Sequence, residues 1–333
     1  MNQNSSYGVV NDMFDTIDIV QKIDTHAIQP IMSYISNKSG IVLTGEGSSR
    51  IFPAKMMRHQ AMRYGYHQHI VTQGGLQLME YDLSTYAVLA CSNSGKTKEI
   101  VSLLSNLQQQ GHQACIGITA GQQTPLHQVT QYCHILQSGE EHACAATKTV
   151  IEQGLLYDMI LGSVTGIQGD YQNLSTLMSQ TLQYTISNDI VEIIAQASKL
   201  YFAGRNDGVA EELALKTYEI IKKPAQYLEG TFAVHGIEEI MEPNEVVIVI
   251  NPYPSEEEKF EKVLSQNIGM NIIAIADRQT RFPTITIPSI EYRYQGYLQM
   301  LAGRNILTAT GIYSGIDIDH TVRARKIGNE VVS

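Results

Sequence analysis

Six consecutive residues, Ser92-Asn93-Ser94-Gly95-Lys96-Thr97, gather three hydroxyls, an amide and an ammonium in one short segment. They follow a continuous apolar run, Tyr86–Cys91, too short for a buried helix and read as a central strand. They precede a helical pattern with Ile100, Val101, Leu103, Leu104 and Leu107 on one side and Gly111 as its stop. A turn from strand into helix carries unpaired backbone N–H groups and the positive end of the helix dipole, which suits phosphate. Gly95 lets the backbone approach an anion closely. A helix cap needs one hydroxyl, and this turn has more donors than that. The GxxxxGK[ST] pattern of a Walker loop is absent. Ser49 stands after the preceding strand, and adjacent parallel strands open into one crevice at their carboxyl ends, so Ser49 joins the expected anion site.

The elements that must position this turn alternate. Residues 8–37 read as two helical stretches, then a strand Ile41–Thr44, a helix to about Gly65, the strand Tyr86–Cys91, a helix, and the strand Cys115–Thr119. Alternation of this kind signals a parallel sheet with helices on both faces. The second half repeats the first. Gly204 after the strand Leu200–Ala203 stands 159 residues beyond Gly45, Ile250 stands 159 beyond Cys91, and Ala276 stands 157 beyond Thr119. The expected fold is α/β: two tandem, doubly wound, flavodoxin-like parallel-sheet domains. Boundaries are expected at 1–39 (helical segment), 40–160 (first domain), 161–313 (second domain) and 314–333 (tail). In the second copy the equivalent turn is Asn251-Pro252-Tyr253-Pro254-Ser255, whose prolines remove two backbone donors. One copy keeps an anion site and the other has lost it, as expected of one active site that takes anion binding from one half and chemistry from the other.

Composition narrows the class. The chain has 333 residues, 43% of them hydrophobic, enough for packed cores, and a formal net charge of −10, which disfavours nucleic acid and anionic membrane as partners. Apolar runs are too short to span a bilayer. Residues 1–20 hold Asp12, Asp15 and Asp18 and no basic residue, unlike a secretory signal. Four cysteines without a CxxC pair read as reduced thiols, so a cytoplasmic location is expected. His67 and His69 lack a third ligand, so no metal site is expected.

The SxSGxT turn, the repeated fold and a glutamate-bearing helix resemble the sugar isomerase (SIS) family, in particular the isomerase half of the glucosamine-6-phosphate synthases. Glu212-Leu-Ala-Leu-Lys216-Thr-Tyr-Glu219 resembles that family's EGALKLKE helix. His235-Gly236 resembles its KHGP motif, 16 residues after the glutamate. Gly139-Glu-Glu-His-Ala-Cys144-Ala-Ala146-Thr147-Lys148 resembles its GTEIGVASTK loop, and Asp317-Ile-Asp319 followed by Lys326 resembles its lysine-bearing tail. The family serine of the loop is Ala146 here; Asn93 stands for glutamine and Lys96 for glutamate.

The resemblance implies an aldose–ketose isomerase of sugar 6-phosphates, free of cofactor and metal, acting as a homodimer in which His235 crosses the interface. Ser49, Ser92, Asn93, Ser94 and Thr97 would hold the phosphate, and Cys144 and Ala146 would offer backbone groups to sugar hydroxyls. Moving a proton between C1 and C2 through an enediol needs one base over both carbons, and a carboxylate on a rigid helix suits it. Glu219 is that candidate. His235 would assist ring opening. Lys216, one turn before Glu219, would position it, stabilise an oxyanion, or form a Schiff base. Lys326 would close over the sugar with the tail. No glutaminase domain precedes the first repeat in this sequence and residues 1–39 match no helix-turn-helix, so an isomerase is expected. A deaminase of glucosamine 6-phosphate, a deglycase of phosphorylated fructosamines and a non-enzymatic phosphosugar sensor are the alternatives.

Overall fold

The computed structural model describes residues 5–323 and 329–331. Among the described residues ten strands lie in two sheets. The first holds β1 (Gly40–Thr44), β2 (His69–Gln73), β3 (Tyr86–Cys91), β4 (Cys115–Thr119) and β5 (Tyr132–Ile135), in the order β2-β1-β3-β4-β5. The second holds β6 (Leu200–Gly204), β7 (Ala225–Glu229), β8 (Val246–Ile250), β9 (Asn271–Ala276) and β10 (Thr284–Thr286), in the order β10-β9-β8-β6-β7. Read from the β7 edge, the second order is the first one again, and all pairings are parallel. The repeat extends to register: Thr44 pairs with Ala90 in one sheet, and Ala203, 159 residues on, pairs with Val249 in the other.

β1, β6 and β8 are buried along their whole length, as apolar runs covered on both faces of a parallel sheet must be. In each sheet the order reverses between the first and third strands of the repeat, and it is there that a doubly wound sheet opens a crevice at its carboxyl edge. β3 delivers Ser92 to one such place and β8 delivers Asn251 to the other.

The chain divides into two compact units that are not single stretches. One, residues 18–141, 146–171 and the described residues from 322 on, holds β1–β5. The other, residues up to 17, 142–145 and 172–321, holds β6–β10. Among the described residues no helix is long and apolar enough to cross a membrane.

All four cysteines are free thiols. Burial pushes the Cys91 thiol far up, Cys115 up to about 12 and Cys133 up to about 11. Raised values leave these thiols protonated at neutral pH, whereas Cys144 is exposed. A disulfide reagent added to the native protein at about pH 8 is therefore expected to modify Cys144 first. Peptide mapping showing equal labelling of Cys91 would contradict the burial.

Candidate active site

In the β1–β5 unit, the turn after β3 is built to bring polar atoms together. Ser92 Oγ meets Thr97 Oγ1 at 2.8 Å and accepts from the Thr97 N–H at 3.2 Å. Ser94 Oγ accepts from the Lys96 N–H at 3.3 Å. The Asn93 carbonyl is held by the Ala120 N–H and the Thr119 hydroxyl, while Asn93 Oδ1 is buried with no hydrogen-bond partner among the described residues. Thr97 then leads into the helix Lys98–Gln109. Gly45 lets the Ser49 turn lie against the end of β3: a Cβ there would come 2.8 Å from the Ser49 carbonyl oxygen and 3.0 Å from that of Cys91. Thus Ser49, Ser92, Asn93, Ser94 and Thr97 all lie at the carboxyl edge of the first sheet.

Residues 329–331 lie along the same turn. Thr97 and Glu330 form an antiparallel bridge, the Lys98 N–H donates to Asn329 O at 2.9 Å, and the Val331 N–H donates to Lys96 O at 2.9 Å. Lys326 lies outside the described residues.

Gly95 has φ +65°, and a Cβ on it would stand 2.1 Å from Thr124 Oγ1. Gly95→Ala is expected to cost about 1–2 kcal/mol in backbone strain alone and to push Thr124 away. The readouts are a lower unfolding midpoint and weaker binding of inorganic phosphate. An unchanged phosphate affinity would separate this turn from anion binding.

In the other unit the equivalent turn does the opposite. Asn251 takes φ +45°, its carbonyl receives Arg205 Nη1 at 2.6 Å, and the Arg205 guanidinium lies 4.3 Å from the centre of the Tyr253 ring. Arg278 Nη2 donates to Pro252 O at 2.8 Å. Where the first turn gathers hydroxyls, the second presents carbonyls that the unit's own guanidiniums cover. The cavity beside it measures about 10 Å³, room for no more than about one water.

The helix Val209–Ile220 starts at Gly208, whose φ is +91°, with Asp207 Oδ1 accepting the Val209 N–H at 3.1 Å. It packs on the helix Tyr292–Tyr313 so closely that a Cβ on Gly303 would meet Leu213 Cδ1 at 2.4 Å. This rigid seat carries a charged row. Lys216 is 0% exposed, and its Nζ lies 2.6 Å from Glu219 Oε2 and 3.4 Å from Glu212 Oε1. Glu212 is also 0% exposed, whereas the Glu219 side chain keeps 24%. The three residues follow i, i+4 and i+7 spacing, which aligns them on one face. Glu212 is the member that the sequence reading passed over, and that spacing was its signal.

Around Glu219 the unit is stitched by backbone and tail. Lys222 Nζ donates to the Glu219 carbonyl at 2.6 Å and to the Asp317 carbonyl at 3.0 Å. The Asp319 carboxylate accepts the N–H groups of Gly8 and Val9, both at 2.8 Å, and so caps the helix Gly8–Gln21 with a negative charge. The Asp319 carbonyl accepts the Cys144 N–H at 2.8 Å, so that donor is already committed. Ala146 belongs to the other unit. The Asp317 carboxyl is held below the usual carboxylate range by the N–H of Asp319.

His235 follows the short 3-10 turn Phe232–Val234 and is exposed. Its Nε2 lies 3.2 Å from Lys259 Nζ. Asp12, Asp15 and His142 are the group among the described residues whose ligand atoms lie within 4.8 Å of one another. The contact of His142 Nδ1 with Asp12 Oδ1, at 2.6 Å, is a hydrogen bond in its own right.

Residues 34–163 match the SIS domain family model. No curated protein sequence matches the chain. Solved structures match almost all of it. The C-terminal domain of the glucosamine-fructose-6-phosphate aminotransferase of Francisella tularensis is 14% identical, with a TM-score of 0.80 over 96% of this chain and 99% of that one. The tagatose-6-phosphate ketose/aldose isomerase of Escherichia coli is 18% identical, with a TM-score of 0.76 over 95% of each chain. The glucosamine-6-phosphate deaminase of Thermotoga maritima is 16% identical, with a TM-score of 0.67 over 92% of this chain and 96% of that one. At these identities the likeness shows the fold: two tandem α/β units with parallel sheets, as the repeat in the sequence implied.

Proposed function

We propose that the chain is a sugar-phosphate isomerase that moves a proton between C1 and C2 of a sugar 6-phosphate. The observation that carries this reading is the pair Lys216–Glu219: a fully buried ammonium bonded at 2.6 Å to a carboxylate that keeps contact with solvent. A carboxylate held in one plane and open to solvent suits a base better than a sensor needs. Glu219 Oε2 is tied to Lys216, and Oε1 takes the proton from the carbon next to the carbonyl. The electrons left behind form the enediol, and the same carboxylic acid returns the proton to the neighbouring carbon. Lys216 fixes the plane of the base.

The phosphate falls to Ser92, Asn93, Ser94 and Thr97 with Ser49, by the chemistry of their turn and helix terminus. The chemistry of this step asks for no cofactor or metal. His235, supplied by a second copy in a homodimer, gives a proton to the ring oxygen, and Lys326 serves as a cation of the tail. The exposed Phe232 (49%) and Ile240 (63%) beside His235 favour a second copy there.

The named relatives include an isomerase and a deaminase, and both chemistries begin with the same proton transfer. The test is incubation with fructose 6-phosphate and with glucosamine 6-phosphate in D2O. Deuterium entering at C1 or C2 supports the reading, ammonia release marks the deaminase, and an amino acid released from a fructosamine phosphate marks the deglycase. Tight binding with no deuterium in any substrate would leave the protein a sensor and overturn the proposal.

A further inference from the structure

Asp12 is fully buried, yet it reaches an exposed ring. Its Oδ2 accepts the backbone N–H groups of His142, at 2.7 Å, and Ala143, at 3.0 Å. Those two bonds suffice to pin the loop to the helix Gly8–Gln21. Gly8 completes that fit, since a Cβ there would press on the His142 carbonyl at 3.0 Å. A third bond fixes a side chain. Asp12 Oδ1 holds His142 Nδ1 at 2.6 Å, although the His142 side chain is 58% exposed. A carboxylate on Nδ1 places the ring hydrogen there and makes Nε2 the basic nitrogen. The orientation of the ring is set by this bond. Asp15 Oδ2, 4.0 Å from Nδ1, adds to the same field.

This pair lies within the unit that carries Glu219, on a loop tied to it by a short chain of bonds. His142 is two residues before Cys144, whose N–H is held by the Asp319 carbonyl. Asp317, two residues before Asp319, offers its carbonyl to Lys222 Nζ, and the same Nζ holds the carbonyl of Glu219. The histidine singled out by the sequence, His235, has its Nε2 at 3.2 Å from the Lys259 ammonium. Ring opening needs a base as well as an acid, and with His235 as the acid the base is still to be assigned.

Resting on the isomerase reading above, we propose that His142, oriented by the buried Asp12, is the base that removes the proton of the anomeric hydroxyl when the sugar ring opens. The hydroxyl proton passes to Nε2. The bond between anomeric carbon and ring oxygen breaks, its electron pair goes to the ring oxygen, and that oxygen takes a proton from His235. The carbonyl forms on the anomeric carbon. Solvent then takes the proton from His142 and restores the one on His235. Glu219 acts next, on the open chain.

The task predicts a split that a structural histidine would not give. 5-Deoxyfructose 6-phosphate lacks the hydroxyl that closes the ketose ring, so it needs no opening. In His142→Gln, Asp12 keeps both backbone bonds and the glutamine amide can still donate to Oδ1. Exchange of the C1 proton in D2O is expected to fall about 100-fold with fructose 6-phosphate, and to stay within about threefold of wild type with the 5-deoxy compound. Equal losses on both substrates would make His142 a loop residue only, and no loss on either would remove it from the reaction; each result overturns the proposal and leaves the isomerase reading intact. A wild-type protein inert towards both sugars would overturn that reading and this proposal together.

Discussion

Replacing Glu219 by Gln is expected to abolish measurable isomerisation while phosphosugar affinity stays within about threefold of wild type. The amide keeps the size and one acceptor oxygen of the carboxylate, and it cannot take a proton. General-base catalysis is worth about 10²–10⁴ in rate, so kcat should fall by at least that much. The phosphate contacts proposed for Ser92, Ser94 and Thr97 are untouched by the change. Isotope exchange in D2O and calorimetric titration with a sugar phosphate on the same preparation read the two quantities separately. Equal losses of turnover and affinity would show that Glu219 contributes to binding, and the assignment of proton transfer to it would fall. A variant that still exchanges deuterium at the wild-type rate would place the base elsewhere.

Much of this arrangement was legible because it depends on local chemistry. Tyr86–Cys91 and Val246–Ile250 are continuous apolar runs, and such runs belong to strands buried on both faces of a parallel sheet. The 159-residue offset of Cys91 and Ile250, shared by Gly45 and Gly204, marks the repeat in the sequence itself. Gly95 and the hydroxyls around it announced a strand-to-helix turn, and a turn is written in the residues that form it. The fate of the second turn was half legible. Pro252 and Pro254 showed that donors were missing, but nothing in the local sequence pairs Asn251 with Arg205, 46 residues away.

Interactions across long separations account for the rest. Asp12 and His142 are 130 residues apart, and Asp319 caps a helix that begins 311 residues earlier. Neither periodicity nor spacing carries such pairs. The non-contiguous division of the chain has the same cause, since residues 142–145 group with the second sheet although they follow the first. The π-helical stretch Glu261–Ile268 was hidden for another reason: apolar periodicity at 3.6 does not distinguish one ladder of backbone bonds from the next.

Lys216→Met should be the most destabilising single change in the helix Val209–Ile220. Its ammonium lies between Glu219 and Glu212, and Glu212 is 0% exposed with no hydrogen bond to either oxygen among the described residues. Removing one partner of a buried pair leaves a charge that neither water nor protein compensates, and the typical cost is about 3–5 kcal/mol. Methionine has the length of the lysine stem, so packing against neighbouring side chains changes little and the loss reports charge. Urea unfolding of the full chain should therefore show a lower midpoint for the transition of the unit that holds β6–β10. The second substitution makes the argument decisive. Lys216→Met with Glu212→Met replaces the whole pair by apolar groups of similar volume, which is often neutral. It should return most of the stability, yet not the activity, because Glu219 would still lack the ammonium that fixes its plane. If the single variant lost under about 1 kcal/mol, the value of a solvated surface pair, Glu212 would not be a buried charge held by Lys216. If the double variant recovered activity with stability, Lys216 would serve the fold and not the reaction, and the chemistry would rest on Glu219 alone.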